Sequence, residues 1–269
     1  MCGIAGVWRS AGPASAGDVV AVRRMLDAQA SRGPDGCAVR QDGAVVLGHR
    51  RLSIIDVSEA GRQPMSNEDG TVWAIHNGEI YNFAELRDEL VALGHRFRSR
   101  TDSEVLVHGY EAWDIPDLLA RLRGMFAFAL HDRVRSRLVL ARDRLGIKPL
   151  YYAVAPLDEP LVFASEVKAL AASGLVPTDR DPRALVGFLA LGAVPAPRTV
   201  LRRVSCLQPG HYLVAEHGGV TVRRYWELPS PTEPGDPGPV EELRERLLDT
   251  VSRHLVSDVP LGEIGRAHV

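Results

Sequence analysis

The chain has few cysteines and no long apolar run. Three of its 269 residues are cysteine, and no two of them have the Cys-x-x-Cys spacing typical of redox or zinc motifs. A disulfide scaffold and a structural zinc site are therefore not expected. Its apolar runs also fall short of the roughly 18 residues that a membrane-spanning helix needs.

A surplus of charge of either sign is absent as well. The 32 basic and 34 acidic residues leave a net charge of −2, which does not indicate nucleic acid or an anionic membrane as a partner. No basic residue precedes Arg9, so the apolar start lacks the charged region of a secretory signal. The nine histidines form no His-Glu-x-x-His motif and no cluster with metal-ligand spacing. We expect a cytoplasmic protein without a metal site and without nucleic-acid or membrane partners.

The remaining composition is that of an ordinary globular protein, with 45% hydrophobic and 25% charged residues. The hydrophobic pattern predicts a strand from Cys2 to Trp8 and an amphipathic helix over residues 18–31. Residues 124–131 alternate as a strand does, with phenylalanines on one side and alanines on the other. A strand over residues 71–76 is predicted to end in a sharp turn at Asn77-Gly78. Strands and helices come in blocks, which favours an α+β fold with mostly antiparallel sheets.

A proline-rich segment divides the chain. Residues 229–239 contain five prolines and no apolar periodicity, as a stiff linker does. We therefore predict one domain over residues 1–228. Residues 240–262 are predicted to begin the first helix of a second domain.

The first residue that could carry chemistry is Cys2. Removal of Met1 would leave a thiol and a free α-amino group on one residue, with reference pKa values of roughly 8.5 and 7.7–8.0. Such an amine can activate the thiol without a separate histidine. The alternative is that Cys2 is a small buried hydrophobic residue at the start of a strand.

Several segments carry a resemblance to a known family. They include residues 1–6 (MCGIAG), 31–36 (SRGPDG), 49–56 (HRRLSIID), 76–82 (HNGEIYN), 124–129 (GMFAFA), 141–152 (ARDRLGIKPLYY) and 164–170 (ASEVKAL). In this order, the segments resemble the glutaminase domain of class II glutamine amidotransferases, which are N-terminal-nucleophile hydrolases. The resemblance is greatest to the glutamine-dependent asparagine synthetase family. It implies a four-layer αββα sandwich of two mostly antiparallel sheets.

The resemblance also implies roles for residues at the reacting amide. Cys2 matches the nucleophile of the family. Asn77 matches the residue whose side-chain amide helps to bind the oxyanion, and Gly78 matches the one whose backbone N–H does so. A tetrahedral oxyanion needs such converging donors. Taken alone, an Asn-Gly pair such as Asn77-Gly78 is more often a simple turn.

Three charged residues match those that bind the two ends of free glutamine. Arg51 matches the arginine that pairs with the α-carboxylate, a task that suits a planar guanidinium. Asp102 matches the carboxylate that receives the α-amino group, and Glu79 matches a second carboxylate at that end. Alternatively, Arg51 forms a surface ion pair, and Asp102 is an acidic residue favoured by the dipole of a helix N-terminus.

One part of the family pattern is absent from the sequence. Residues 257–262 (SDVPLG) lead, in the family, into a Ser-Gly-Gly-x-Asp-Ser loop that binds the pyrophosphate of ATP. Here residues 263–269 follow instead, and we interpret them as a non-native tail. The glutaminase domain itself is expected to need no cofactor. ATP and Mg²⁺ are expected in a synthetase domain that this sequence does not contain, and the full-length protein is expected as a homodimer.

The predicted function is hydrolysis of L-glutamine to glutamate and ammonia through a thioester on Cys2. In a full-length synthetase, the ammonia would convert aspartate and ATP to asparagine, AMP and pyrophosphate. One alternative keeps the glutaminase and changes the acceptor to another carboxylate or a sugar. A second alternative is a non-catalytic regulatory module of the same fold.

Overall fold

The computed structural model describes residues 1–154, 160–217, 219–230, 240–260 and 262. Twelve strands occur within these ranges. They are β1 Gly3–Trp8, β2 Gly36–Asp42, β3 Val45–Arg51, β4 Met65–Ser66, β5 Val72–Ile80, β6 Gly124–Asp132, β7 Arg137–Arg142, β8 Tyr151–Ala153, β9 Leu161–Ala164, β10 Ser205–Cys206, β11 His211–Glu216 and β12 Gly219–Arg224.

The described residues also form six α-helices. They are α1 Ala16–Ala28, α2 Phe83–Ala92, α3 Val105–Arg121, α4 Val167–Ala172, α5 Pro182–Leu191 and α6 Val240–His254. Helix α1 begins two residues before the predicted start, because Ser15 and Asp18 form a reciprocal capping box. A short 3-10 helix, Asp102–Glu104, leads directly into α3.

The strands form two six-stranded sheets, which confirms the predicted α+β class. Sheet I has the order β10-β8-β9-β1-β3-β2, and sheet II has the order β12-β11-β7-β6-β5-β4. The paired strands within both sheets run antiparallel.

Three apolar clusters hold the sheets and helices in four layers. One cluster joins α1 and α4 to the outer face of sheet I, with Met25 and Leu26 fully buried. The second fills the space between the two sheets and includes Ile4 and Phe163. The third joins α2 and α3 to sheet II and includes Phe128. Each fully buried large side chain contributes roughly 1.5–3 kcal/mol of transfer free energy, so the αββα sandwich is stabilised in all three interlayer spaces.

The amino-terminal strand lies in the interior of sheet I. Strand β1 pairs with β3 on one side and with β9 on the other. The backbone N–H of Ile4 donates to Ser165 Oγ at 3.0 Å, and its carbonyl accepts from Gln29 Nε2 at 3.1 Å. These bonds fix the residue that precedes the strand, which is Cys2.

Strand β5 corrects the predicted turn. It does not end at residue 76 but continues to Ile80, and Asn77 and Gly78 pair with Ala127 and Phe126 in β6. The two strands approach closely there, because a side chain at Gly78 would place its Cβ 2.0 Å from the carbonyl oxygen of Met125 in β6. Gly78 also has φ +153°, which glycine adopts more readily than other residues. Glycine at this position therefore allows β5 and β6 to lie close together.

The helix predicted to begin at residue 240 is α6. It contains no buried residue, and it contacts the sandwich through an ion pair of 3.0 Å between Arg253 Nη1 and Glu85 Oε1. The His254 ring lies 4.2 Å from the ring of Tyr81. Both contacts lie in the last turn of the helix.

Some predicted boundaries fall outside the described residues. Of the predicted linker, the structure describes residues 229 and 230, and the rest lies outside the described ranges, as does the predicted tail over residues 263–269. Among the helices described, none is both long enough and apolar enough to cross a membrane.

Candidate active site

A cleft opens at the edge of the sandwich where β1 begins and where β3 and β5 end. Its cavity volume is about 70 Å³. Five of the six predicted site residues line it, and the sixth, Asn77, is buried beside Gly78. The lining residues are Met1, Cys2, Arg51, Leu52, Ile54, Ile55, Gly61, Gln63, His76, Gly78, Glu79, Thr101, Asp102, Ser103 and Lys148.

The thiol of Cys2 is held against the backbone of Leu52. The Leu52 N–H donates to Cys2 Sγ at 3.4 Å, and the thiol lies 3.6 Å from the carbonyl oxygen of the same residue. The carbonyl oxygen of Cys2 accepts from Arg32 Nε at 2.8 Å. Burial raises the pKa of the Cys2 thiol, whereas the nearby amino terminus and Arg51 lower it. An activating base is therefore needed for thiolate chemistry near neutral pH.

The terminal amino group is a suitable base. Burial lowers the pKa of this amine, which the structure carries on Met1, and the charges of Arg32 and Lys148 lower it further. A larger fraction of the amine is then unprotonated near neutral pH. Met1 itself is 57% exposed at the mouth of the cleft.

Arg51, the last residue of β3, is held by the loop that follows it. Its Nη1 donates to the carbonyl oxygen of Ser58 at 2.8 Å, and its Nη2 donates to the carbonyl oxygen of Asp56. The guanidinium passes so close to Gly61 that an added Cβ would lie 2.3 Å from Nη2. These contacts use two of its five donors and fix the plane of the group at the cleft wall.

Asp102 begins the 3-10 helix that precedes α3. Its Oδ2 accepts from the backbone N–H of Ile80 at 2.8 Å, and its Oδ1 accepts from Thr101 Oγ1 at 3.1 Å. Burial raises the pKa of Asp102 to about 6, although these hydrogen bonds oppose the shift. A buried carboxylate in a cleft is well placed to receive a cationic group.

Glu79 and Lys148 place opposite charges in the same cleft. Burial raises the pKa of Glu79, and the charge of Asp102 raises it further, whereas the charge of Lys148 lowers it. Lys148 is only 6% exposed, and burial lowers the pKa of its ammonium group. The charges of Glu79 and Cys2 oppose that shift.

Sequence reasoning missed Lys148 as a cleft residue. The segment around it is fixed by Asp143, whose carboxylate accepts from the backbone N–H groups of Ile147 and Lys148 at 2.9 and 3.0 Å. One feature of the sequence could have drawn attention to it: Lys148 is one of the two lysines of the chain, the other being Lys168.

Asn77 has a buried and unsatisfied side-chain amide. It is 0% exposed, and neither its Oδ1 nor its Nδ2 has a hydrogen-bond partner among the described residues. It lies two positions after Ile75, which packs between the sheets, so strand alternation places Asn77 on that same face. Buried amides are normally paired, so an unpaired one is a candidate for a binding or catalytic role.

Two buried histidines support the cleft. His49 Nε2 lies 3.1 Å from the carbonyl oxygen of His76, and His76 Nδ1 lies 2.9 Å from Ser103 Oγ. The His76 backbone N–H donates to Gln63 Oε1 at 2.6 Å. Burial lowers the pKa of both histidines to about 3, so their rings are uncharged near neutral pH.

Solved structures share this fold. The glutamine phosphoribosylpyrophosphate amidotransferase from Bacillus subtilis aligns with a TM-score of 0.61 and 20% identity, covering 84% of this chain and 49% of that one. A second match, a regulatory enzyme of purine biosynthesis, aligns with a TM-score of 0.60 and 21% identity. At this identity the likeness concerns the fold, and it agrees with the predicted N-terminal-nucleophile sandwich.

Curated relatives are more similar in sequence. Asparagine synthetase [glutamine-hydrolyzing] 3 from Bacillus subtilis is 38% identical over 266 residues, covering 97% of this chain and 42% of the relative. A putative asparagine synthetase from Mycobacterium tuberculosis is 38% identical over 287 residues, covering 97% and 43%. Amidase chyE from Penicillium rubens is 34% identical over 281 residues, covering 97% and 40%. The chain thus spans about two fifths of the length of these relatives.

A protein-family model described as a glutamine amidotransferase domain matches residues 1–226. That match covers β1 to β12 and every residue of the cleft. The chain therefore belongs to the glutamine amidotransferase domain family.

Proposed function

We propose that this chain hydrolyses L-glutamine to glutamate and ammonia through a thioester on Cys2. The observation that carries the proposal is the content of the cleft. It brings together one thiol beside an amino terminus, one guanidinium and two carboxylates. An amino-acid zwitterion needs such a set, since Arg51 can pair with its carboxylate while Asp102 and Glu79 receive its ammonium group.

The first half of the reaction forms the thioester. With Met1 removed, the α-amino group of Cys2 takes the thiol proton, and the thiolate sulfur attacks the side-chain amide carbon of glutamine. Asn77 Nδ2 and the Gly78 N–H donate hydrogen bonds to the resulting oxyanion. The carbon–nitrogen bond then breaks, and the α-ammonium group returns its proton to the departing ammonia.

The second half releases glutamate. The α-amino group takes a proton from water, whose oxygen attacks the thioester carbon. The same two donors bind the second oxyanion. The carbon–sulfur bond breaks, the thiolate regains the proton, and glutamate leaves. The unpaired amide of Asn77 supports this role, because an oxyanion would satisfy its buried N–H donor.

We propose further that this domain supplies ammonia to an asparagine synthetase reaction in a longer protein. Three asparagine synthetases from Bacillus subtilis are 36–38% identical to this chain, and the chain spans 36–42% of their lengths. In such a protein, ATP and Mg²⁺ would bind outside the segment studied, and aspartate would be the acceptor. The longer protein is proposed to be a cytoplasmic homodimer.

A second candidate is an acceptor other than aspartate. Amidase chyE and amidase chry2, from Penicillium rubens and Gibberella zeae, are 34% and 35% identical over 97% of this chain, and their names do not include asparagine synthetase. The non-catalytic alternative is disfavoured by the cleft, which keeps the complete charged set.

The test supplies the purified chain with glutamine, aspartate, ATP and Mg²⁺ and quantifies five products: glutamate, ammonia, asparagine, AMP and pyrophosphate. We expect glutamate and ammonia in equal amounts without asparagine. Glutamate release no faster than in Cys2→Ala would overturn the glutaminase proposal. Asparagine with matching AMP would mean that the chain itself contains an adenylating site.

A further inference from the structure

A second cluster of ionisable side chains lies apart from the cleft. Glu68 lies in the loop after β4, His95 follows α2, and His108 and Glu111 lie one turn apart on α3. One ligand atom from each of the four lies within 4.8 Å of every other. The sequence analysis predicted no metal site, because these ligands come from three segments without a recognisable spacing.

The two imidazole nitrogens each lie within 4 Å of an oxygen of Glu68 and of an oxygen of Glu111. His95 Nδ1 lies 3.6 Å from Glu68 Oε1 and 3.9 Å from Glu111 Oε2. His108 Nδ1 lies 3.2 Å from Glu68 Oε2 and 3.9 Å from Glu111 Oε2. A tetrahedral Zn²⁺ with ligands at about 2.0–2.1 Å separates neighbouring ligand atoms by about 3.3–3.4 Å. To bind one ion, the 3.9 Å contacts must shorten by about 0.5 Å, and any ligand atoms that lie as far as 4.8 Å apart must move further.

His108 is the observation that points to a ligand. It is 1% exposed, yet neither ring nitrogen has a partner in hydrogen-bond geometry among the described residues. The carboxylate oxygens near its Nδ1 lie outside hydrogen-bond geometry. Burial lowers the pKa of His108, but the carboxylates of Glu104, Glu111 and Glu68 raise it to about 9, so a metal ion that binds this nitrogen must displace a proton.

The surroundings of the cluster resemble the outer shell of a metal site. His108 Nε2 lies 3.5 Å from Glu104 Oε1, and a carboxylate at that position orients a metal-ligating imidazole. The carboxylates are oriented as well. Glu68 Oε1 accepts from the Arg96 backbone N–H at 2.7 Å, and Glu111 Oε1 accepts from Asn67 Nδ2 at 2.7 Å.

We propose that Glu68, His95, His108 and Glu111 bind one divalent transition-metal ion, with Zn²⁺ as the best match. Two imidazoles and two carboxylates form a donor set that Zn²⁺ accepts, whereas Mg²⁺ prefers six oxygens. Glu68 and Glu111 are partly exposed, so an ion can enter from solvent. With four protein ligands the site is a structural one.

The ion would fix one wall of the cleft. His95 and His108 bracket a segment that contains Asp102, and a metal that binds both residues shortens the effective length of that loop. The consequence for glutamine rests on the proposed function, because it assumes that Asp102 binds substrate. The binding of the ion does not depend on that assumption.

The test separates the two claims by using a Cys2→Ala background, in which the cleft thiol cannot bind zinc. The protein is stripped with a chelator, dialysed and titrated with Zn²⁺ against a chromogenic competitor. We expect one equivalent per chain and a rise in melting temperature. Co²⁺ in place of Zn²⁺ should give the intense visible absorption of a tetrahedral site.

Variants with partly exposed ligands keep the fold intact. His95→Gln and Glu111→Gln should each weaken Zn²⁺ binding by at least 10- to 100-fold, and both should lose the tetrahedral Co²⁺ spectrum. His211→Gln is the matched control, since His211 lies on β11 outside the cluster. Zn²⁺ binding of equal strength in all three variants, or no equivalent bound by the parent protein, would overturn the proposal.

Discussion

The carboxylate of Asp102 accepts a 2.8 Å hydrogen bond from the backbone N–H of Ile80, which ends β5. That strand also contains Asn77 and Gly78. The group proposed to receive the substrate ammonium is therefore fixed directly to the strand proposed to bind the oxyanion. A substrate whose ammonium group is bound by Asp102 therefore has its side-chain amide positioned at Asn77 and Gly78, because no flexible loop separates the two sites.

We predict that Asp102→Asn weakens glutamine binding and removes an acid limb from the pH profile. With the pKa of Asp102 at about 6, wild-type kcat/KM should fall as the pH drops below 6, because the protonated carboxyl no longer offers a charge to the substrate ammonium. The variant should raise KM by about 10- to 150-fold, as expected for loss of a charged hydrogen bond worth about 1.5–3 kcal/mol. Steady-state kinetics between pH 5 and 9 test this.

The same substitution should stabilise the folded chain. The pKa of Asp102 is about 6 in the folded state, against an ordinary value of 3.8. The folded state therefore binds more protons than the unfolded state between these values, and stability falls as the pH rises through them. Asp102→Asn should raise the melting temperature at pH 8 and raise it less at pH 4.5. An equal shift at both values would contradict the inferred pKa.

The sequence predicted several strands correctly because alternation of apolar and polar residues is a local property. The alternation in residues 124–131 places Phe128 against the helices and Ala129 between the sheets, as the observed clusters do. The course of β5 was wrong because Asn77-Gly78 has turn chemistry in isolation. Pairing with β6, a segment about 50 residues away, keeps those two residues in the strand.

Lys148 and the histidine-glutamate cluster were missed for a related reason. Each depends on residues that are distant in the chain and that meet only after folding. Lys148 reaches Cys2 and Glu79 from the loop between β7 and β8, and its spacing from either residue carries no motif. The six predicted site residues were identified through ordered family motifs, whereas periodicity by itself identified none of them.

We predict that Asn77→Ala lowers kcat by about 10²–10³-fold with little change in melting temperature, by analogy with loss of one oxyanion donor. The physical reason is that its amide has no hydrogen-bond partner among the described residues to lose. The control is Asn82→Ala. The Asn82 side chain binds the carbonyl of Arg121 and the N–H of Arg123, so that variant should lose stability and keep its kcat. If the melting temperature of Asn77→Ala falls as much as that of Asn82→Ala, Asn77 has a structural role instead.

We predict that Gly61→Ala acts through Arg51. The added Cβ would lie 2.3 Å from Arg51 Nη2 and 2.6 Å from the carbonyl oxygen of Asp56, so the guanidinium must move. KM for glutamine should rise about 10-fold or more while kcat changes less. Gly17→Ala is the control, because its Cβ meets nothing closer than 3.4 Å. If both variants show the wild-type KM, the close packing of Gly61 against the Arg51 guanidinium does not position Arg51 for glutamine binding.

We predict that the active chain begins at Cys2 and that its thiol is the nucleophile. Intact-mass measurement should show loss of Met1, because the mechanism needs a free amine on Cys2. Cys2→Ala should abolish glutamate release and leave the circular dichroism spectrum unchanged. Cys37→Ala, which removes an exposed cysteine, should keep wild-type activity. A fully active preparation that retains Met1 would exclude the terminal-amine mechanism.

Lys148 offers the sharpest electrostatic test, because Lys148 and Lys168 are the two lysines of the chain and differ in surroundings. Lys148 lines the cleft and is buried, whereas the Lys168 side chain is 58% exposed and pairs with Glu166. The charge of Lys148 lowers the pKa of the amino terminus that the structure carries on Met1. We expect the same effect on the α-amino group of Cys2 after Met1 is removed, so Lys148→Met should raise the pKa of that amine and leave more of the base protonated near neutral pH.

The expected result is a shift of the acid limb of kcat/KM to higher pH in Lys148→Met, by a few tenths to about one pKa unit. The loss should be about two- to tenfold at pH 6.5 and shrink as the pH approaches 9, where the amine is unprotonated in both proteins. Lys168→Met should reproduce the wild-type profile. The pH dependence of Cys2 alkylation measures the same base without turnover. Profiles of Lys148→Met that overlay the wild type in both measurements would show that the buried charge does not act on the nucleophile.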